Sequence, residues 1–229
     1  MNGVFLKSLV LAICSTLSAI PYFYHLIFLA PIKNPFLLSL GLRGSLFVEL
    51  LILFILSLLS GIVGFSYSEK RGLVGFGDKI GFIRSIPLLL LLGVIMIALS
   101  YLLFDRFFFE ISPTSYPKDL LFLISIPFKG AFTEELILRF SLVTIVVGIF
   151  KDRVTGIVIA SAIATLFTLK YLQIVGISFC LNHLIVAGLL LSFSANLILG
   201  YLFAYRGLLY AMAFNFILGM KYAVVSWTM

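Results

Sequence analysis

The stretch FIRSIPLLLLLGVIMIALSYLLF, residues 82–104, decides the class of this protein. Residues 85–104 carry no charge, and a helix needs about 20 apolar residues to cross the hydrocarbon core of a bilayer. The whole chain of 229 residues has the same character, since 62% of it is hydrophobic and only 11% is charged. Soluble domains are about 45–50% apolar and about 25% charged, so lipid must be the solvent for most of this chain.

Six further apolar runs flank this stretch and can form membrane helices. The run at 177–205 fits one long helix or two short ones, and the polar stretch at 105–119 is expected at the membrane interface. We therefore predict an all-α fold, a polytopic transmembrane helix bundle of seven or eight helices in a single integral membrane domain, 1–229. The six runs cover about residues 4–30, 45–65, 120–150, 154–175, 177–205 and 208–227.

The basic residues predict how the chain is oriented. The formal net charge is +7, and Lys70, Arg71 and Lys79 in the second loop, with Arg84 just beyond, form the densest basic cluster. Cytoplasmic loops carry an excess of Lys and Arg. We therefore expect a multi-pass protein of the cell membrane with this loop and the N-terminus in the cytoplasm. The other basic residues form no run, so no nucleic acid partner is expected.

The sequence indicates no cofactor and no metal. Cys14 and Cys180 both lie within apolar stretches. Two such residues favour neither a disulfide framework nor a thiolate metal site. The sequence also has no HExxH, Walker or glycine-rich nucleotide motif, so zinc-dependent and nucleotide-driven functions have no support.

Three charged residues within one apolar run, Glu134, Glu135 and Arg139, are the candidate functional site. A charged side chain at a helix centre costs about 2.5–3.5 kcal/mol on insertion scales, so this cluster predicts a wet cavity lined by protein. Glu135 and Arg139 are four residues apart and can pair on one helix face. Glu134 is turned about 100° away and is expected to be free to meet water or a substrate.

Other interpretations of the cluster remain open from the residues alone. The charges can form a structural ion-pair lock between helices, or they can line an ion or proton pathway. A transporter is a further alternative, and it predicts that charge changes at Glu134 or Glu135 alter the uptake of a solute.

Glu134-Glu135-Leu136-Ile137-Leu138-Arg139 resembles the first motif, EExxxR, of the CAAX-protease and bacteriocin-processing family (CPBP, also called Abi). The segment GYLFAYRGLLYA, residues 200–211, is similar to the glycine-tyrosine-leucine run that enters the last conserved helix of the family. The resemblance implies a CPBP-like core at 120–220, with peripheral helices and loops at 1–119. The family consists of intramembrane glutamic endopeptidases.

The other two family motifs are altered in this chain. The second motif, FxxxH, falls at 167–171, where Tyr171 stands in place of the histidine. A second FxxxH ends at His183, which would lie about 18 Å further along a continuous helix. The third motif, HxxxN, falls at 215–219, where Asn215 replaces the histidine and Gly219 the asparagine.

The resemblance implies a role for each candidate residue. In the family, the first-motif glutamate and the second-motif histidine activate water, and the third motif stabilises the oxyanion. Glu134 would be the base, Glu135 and Arg139 its support, and Asn215 with either Tyr171 or His183 the auxiliary groups. An amide such as that of Asn215 can donate to an oxyanion, whereas a neutral phenol is a poor base near pH 7.

Two functions follow from these matches and departures. The first is an active endopeptidase that hydrolyses a peptide bond in a membrane-anchored or lipidated protein, with Glu134 activating water. The second is a catalytically silent family member that binds a membrane protein or lipidated peptide as a subunit or chaperone. Either function implies a membrane-embedded or lipidated polypeptide as partner, besides the lipid bilayer, and the sequence leaves the oligomeric state open.

Overall fold

The computed structural model of the protein describes residues 2–25, 27, 41–111, 113, 116, 118–174 and 183–228. In these ranges every regular element is a helix, and we number seven of them along the chain. They are α1 (Asn2–Tyr24), α2 (Gly41–Tyr67), α3 (Lys79–Ile111), α4 (120–150), α5 (Arg153–Ile174), α6 (His183–Arg206) and α7 (Leu208–Thr228), with a short 3₁₀ turn at Glu69–Arg71.

The predicted all-α membrane fold is confirmed at this level. Five helices, α1, α2, α3, α6 and α7, are long and apolar enough to cross a membrane. The apolar part of α5 is shorter, and α4 is built from α-helical and π-helical segments. Among the described residues, five helices are therefore candidate membrane spans by length and composition, and the bundle of seven or eight spanning helices stays a prediction.

Helix α3 is longer than the sequence predicted. The Asp78 carboxylate caps its start by accepting hydrogen bonds from the backbone N–H groups of Ile80 and Gly81, at 3.2 and 2.7 Å. The helix then runs through a π-helical turn at Tyr101–Asp105 and ends at Ile111. Within the stretch 105–119, which is predicted at the membrane interface, residues 105–111 continue the helix, and Asp105 is fully buried and paired inside the bundle.

Helix α4 runs without a break through Pro127 and Gly130, two residue types that commonly interrupt a helix. Two π-helical segments, Gly130–Glu134 and Leu136–Val143, follow the proline directly. A π-helix replaces the usual backbone bonds by i→i+5 bonds and commonly marks a functional or strained position. The wider turn lets the helix continue where proline removes a backbone donor, and it changes which side chains share a face.

Helices α1, α2 and α4 are joined by a buried hydroxyl cluster as well as by apolar packing. Ser15 on α1 lies 2.8 Å from the Ser57 hydroxyl on α2 and 2.9 Å from the Thr133 hydroxyl on α4. Small polar residues let membrane helices approach closely and hydrogen-bond across their interface. This contact holds the first half of the chain against the helix that carries the charged cluster.

Gly64→Ala is expected to lower the free energy of unfolding by about 1–3 kcal/mol, because overpacking forces a well-packed core to shift. A Cβ at Gly64 on α2 would clash with the ring of Phe140, which is fully buried on α4. Denaturant unfolding in detergent measures the loss. The control is Gly3→Ala, since a Cβ at Gly3 meets nothing within 4 Å. Equal stability of the two variants would contradict the close α2–α4 contact.

Candidate functional site

Glu134 forms an ion pair with Lys129 within helix α4. Lys129 Nζ lies 2.8 Å from Glu134 Oε1, and the same ammonium lies 4.4 Å from the centroid of the Tyr22 ring on α1. Residues five apart share a face in a π-helix but not in an α-helix. The π-helical segment at Gly130–Glu134 therefore makes the pair possible. The expectation that Glu134 is free was wrong.

Glu135 is fully buried and held by two side chains. The Asn215 side-chain amide on α7 donates to Glu135 Oε1 at 2.7 Å and to the Gly130 carbonyl at 3.1 Å. Arg139 Nε lies 3.4 Å from Glu135 Oε2, which is the pairing that the four-residue spacing predicted. Asn215 thus binds both the carboxylate and a backbone carbonyl of the π-helical segment, so α7 is tied to α4 at this point.

Arg139 extends the site towards α5 and α6. Its side chain is almost completely buried, and its Nη2 donates to the side-chain oxygen, Oδ1, of Asn196 on α6. The Asn196 amide lies within 3.3–3.4 Å of the hydroxyls of Ser192 and Thr165. Ser192 is in turn 2.8 Å from the Thr168 hydroxyl on α5. A continuous polar chain therefore leads from Glu135 through Arg139 into the α5–α6 interface.

The four charged side chains of α4 neutralise one another. Lys129 and Arg139 balance Glu134 and Glu135, so the cluster has no formal net charge. The crevice beside Arg139 is shallow: its empty volume of about 150 Å³ includes space open to the outside, and it has no room for a water molecule. The charges of the described part of the site find partners in protein groups, and the predicted wet cavity stays a prediction. The crevice is lined by Leu138, Arg139, Val143, Ala160, Ser161, Ala164 and Asn196.

The structure brings four of the six predicted site residues together: Glu134, Glu135, Arg139 and Asn215. His183 is exposed at the start of α6, with its ring 6.5 Å from that of Phe107 on α3. It has no contact with the cluster within the part of the chain that the structure describes. The backbone of Tyr171 belongs to α5, and its side chain lies outside the described part.

Gly219, the altered last position of the third motif, has a packing role. A Cβ at this position would lie 2.6 Å from Pro127 Cα. Any side chain here would push α7 away from α4, because real Cβ atoms essentially never approach a backbone atom so closely. Glycine at position 219, where the family motif has asparagine, therefore allows these two helices to contact each other closely.

Sequence reasoning missed the roles of Lys129 and Asn196. Lys129 lies in the same apolar run as Glu134, but their five-residue spacing indicates no pairing unless a π-helix is assumed. Asn196 lies within the apolar run at 177–205, but its Arg139 partner lies far away in the sequence. The polarity of both residues within apolar runs was the available signal.

A second buried charged cluster lies between α3 and α7. Lys221 Nζ is 3.1 Å from Asp105 Oδ1 and 3.3 Å from the Ser100 hydroxyl. The hydroxyls of Ser100 and Tyr116 both donate to the fully buried Asp105 carboxylate. Every carboxylate oxygen of Asp105 is bonded, so this cluster joins the two helices rather than presenting a reactive group.

The described residues contain no group of three or more His, Cys, Asp or Glu side chains arranged to hold a metal ion. Comparisons with models of protein families, with curated proteins and with solved structures find no match to this chain. The chemistry of the site must therefore be argued from its own geometry.

Proposed function

We propose that this protein is a catalytically silent, CPBP-like membrane protein that binds a membrane-embedded or lipidated polypeptide. The observation that carries the proposal is the pairing of both glutamates with cations of their own helix, at 2.8 Å for Glu134 and 3.4 Å for Glu135. A general base must accept a proton from water, and these carboxylates are already engaged as ion-pair partners.

The neighbours of the glutamates support the same proposal. The group nearest to Glu135 from another helix is the Asn215 amide, which is neutral and donates its hydrogens to Glu135 and Gly130. No histidine of the described residues lies against the cluster. Losing a positioned acid–base group typically lowers a rate by about 10²–10⁴. The resemblance to CPBP proteins supplies the ligand class, a membrane-anchored or lipidated polypeptide.

The crevice between α4, α5 and α6 is the binding position that we propose. It combines apolar wall residues with the Arg139 guanidinium and the Asn196 amide at its base. Ligand sites typically have mainly apolar walls with a few polar groups that fix orientation.

Photo-crosslinking tests the binding. A photoreactive amino acid at Leu138, in the crevice, is expected to crosslink a farnesylated peptide in nanodiscs, and excess unlabelled farnesylated peptide should compete. The matched control carries the photoreactive group at Leu91, an exposed position on α3. An unmodified peptide of the same sequence should crosslink at neither position. Equal labelling at both positions would contradict a site at the crevice.

One observation favours the endopeptidase as the second candidate. The Glu134 side chain is 43% exposed, so water can reach it even though it is paired with Lys129. A membrane-anchored reporter in proteoliposomes separates the two functions. We expect the wild-type chain to cleave it no faster than Glu134→Gln does. Cleavage by the wild type that Glu134→Gln abolishes, at equal expression, would establish the peptidase instead.

A further inference from the structure

We propose that one end of the bundle is a binding surface for the anionic headgroups of membrane lipids. We call this surface the basic end. Its side chains come from α1, from the α2–α3 loop and the first turns of α3, from the α4–α5 turn with the start of α5, and from the end of α6. It rests on charge and topology and does not depend on the function of the α4 cluster. The basic end comprises Lys7, Lys70, Arg71, Lys79, Arg84, Lys151, Arg153 and Arg206.

Backbone hydrogen bonds bring the α2–α3 loop against the start of α7. The N–H of Leu208 donates to the Gly75 carbonyl at 2.8 Å, and that of Leu209 donates to the Phe76 carbonyl at 3.0 Å. Gly207, with a φ of +108°, lies so close to Gly77 that a side chain would clash with the loop backbone. The loop carrying Lys70 to Lys79 is thus fixed beside the end of α6 and the start of α7.

The turn between α4 and α5 packs against the same loop. Arg71 packs against Gly148, near the end of α4: a Cβ added to this glycine would lie 3.2 Å from Arg71 Nε. The Arg153 guanidinium lies 5.7 Å from the centroid of the Tyr205 ring on α6. On the other side, Lys7 Nζ lies 5.7 Å from the Phe65 ring, near the end of α2. These contacts place all the basic segments at one end of the bundle.

The cations of the basic end are exposed and make no ion pair within the described residues.

Three carboxylates share this end, those of Glu69, Asp78 and Asp152. Asp78 caps α3, and Asp152 accepts a hydrogen bond from the Thr155 N–H at 2.6 Å and caps α5. This bond holds the pKa of the Asp152 carboxyl below its usual range. Eight cations and three carboxylates leave a formal charge of +5.

The opposite end of the described bundle is balanced. Among the side chains that the structure describes, its exposed cations, Arg43, Arg106 and Lys118, are matched by an equal number of carboxylates, those of Glu49, Glu110 and Asp119. Asp105 and Lys221 neutralise each other inside the bundle. The charge asymmetry is therefore a property of the described fold and is confined to one end.

The position of the basic end selects lipid headgroups as its occupant. The helices next to it are apolar enough to lie in the hydrocarbon region, so cations at their ends stand at the level of the lipid phosphates. Juxtamembrane Lys and Arg residues each strengthen binding to an anionic surface about five-fold. Because no carboxylate of the described residues pairs with these cations, no ion pair of the described part has to break before a headgroup binds.

Lipid selectivity tests the proposal. The protein is reconstituted in phosphatidylcholine bilayers with spin-labelled phosphatidylglycerol or spin-labelled phosphatidylcholine, and the immobilised fraction gives the relative association constant of the two probes. We expect the wild type to prefer phosphatidylglycerol by about five-fold or more. The preference should fall towards unity in about 1 M NaCl, where the Debye length is about 3 Å.

Matched triple variants localise the effect. Lys70→Gln, Arg84→Gln and Arg206→Gln together should bring the preference to within about two-fold of unity. The control variant, Arg43→Gln, Arg106→Gln and Lys118→Gln, should keep the wild-type preference. Equal loss of preference in the two variants, or a wild type without preference, would overturn the proposal. The second result would point to an acidic protein as the partner.

Labelling with a membrane-impermeant maleimide adds an independent readout in variants without the native cysteines. Because the cytoplasmic leaflet is the anionic one, Arg106→Cys should react in intact cells. Lys70→Cys should react only after the cells are opened. The reverse labelling would place the basic end away from the anionic leaflet and overturn the proposal.

Discussion

Arg139→Met is expected to lower the free energy of unfolding by about 3–5 kcal/mol, the cost of leaving a buried charge without its partner. Glu135 is fully buried, and Arg139 supplies the cation beside it at 3.4 Å. Methionine keeps much of the side-chain volume, so the lost charge dominates the effect. Reversible unfolding in mixed detergent micelles, followed by circular dichroism, measures the loss.

Two comparisons separate this ion pair from simple packing. Glu134→Gln should cost no more than about 1 kcal/mol, because the Glu134 side chain is 43% exposed and exposed pairs contribute little. Combining Arg139→Met with Glu135→Leu should recover more than half of the loss, since the double variant leaves no unpaired charge. Equal losses in Arg139→Met and Glu134→Gln would refute the pairing argument.

Lys221→Met is expected to be as damaging, about 3–5 kcal/mol, because Asp105 is fully buried and Lys221 is the cation that neutralises it. The variant would also loosen α7 from the π-helical turn of α3. Thermal unfolding in detergent gives the measurement, and the loss should appear as a single cooperative shift if the two helices unfold together.

A double-mutant cycle isolates this contribution. Asp105→Asn removes the charge and keeps one of the two acceptor oxygens that the Ser100 and Tyr116 hydroxyls use. Added to Lys221→Met, it should restore part of the stability, so that the two effects are clearly non-additive. The control, Lys118→Met, removes an exposed cation near the same end and should change the free energy of unfolding by less than about 0.5 kcal/mol. Additive losses would show that Asp105 and Lys221 act independently.

Within the candidate site, the contact between residues four apart in the sequence was predictable. Glu135 and Arg139 pair as their four-residue spacing predicts, although Arg139 lies in the π-helical segment Leu136–Val143 rather than in an α-helical turn. The pair of Lys129 and Glu134 was not predictable by the same rule. It depends on a π-helical turn, which lies where Pro127 and Gly130 contact α7.

The contacts of Asn215 were also not predictable from the sequence. Its position in an altered family motif suggested an oxyanion donor, whereas the structure has it bound to Glu135 and to the Gly130 carbonyl. The Gly130 carbonyl belongs to the π-helical segment, and a motif comparison does not show that Asn215 lies beside it. His183, equally plausible from its motif, is exposed and lies against Phe107 instead.

The sequence by itself determined that this is an all-helical membrane protein, because apolar runs about 20 residues long can satisfy their backbone polar groups in lipid only as helices. It also determined which polar residues within those runs needed partners. Only the tertiary structure decided what the partners are: Lys129 for Glu134, Asn215 and Arg139 for Glu135, and Lys221 for Asp105. The reason is physical, since a buried charge must find a partner, but helix packing and π-helical turns determine which groups come within reach.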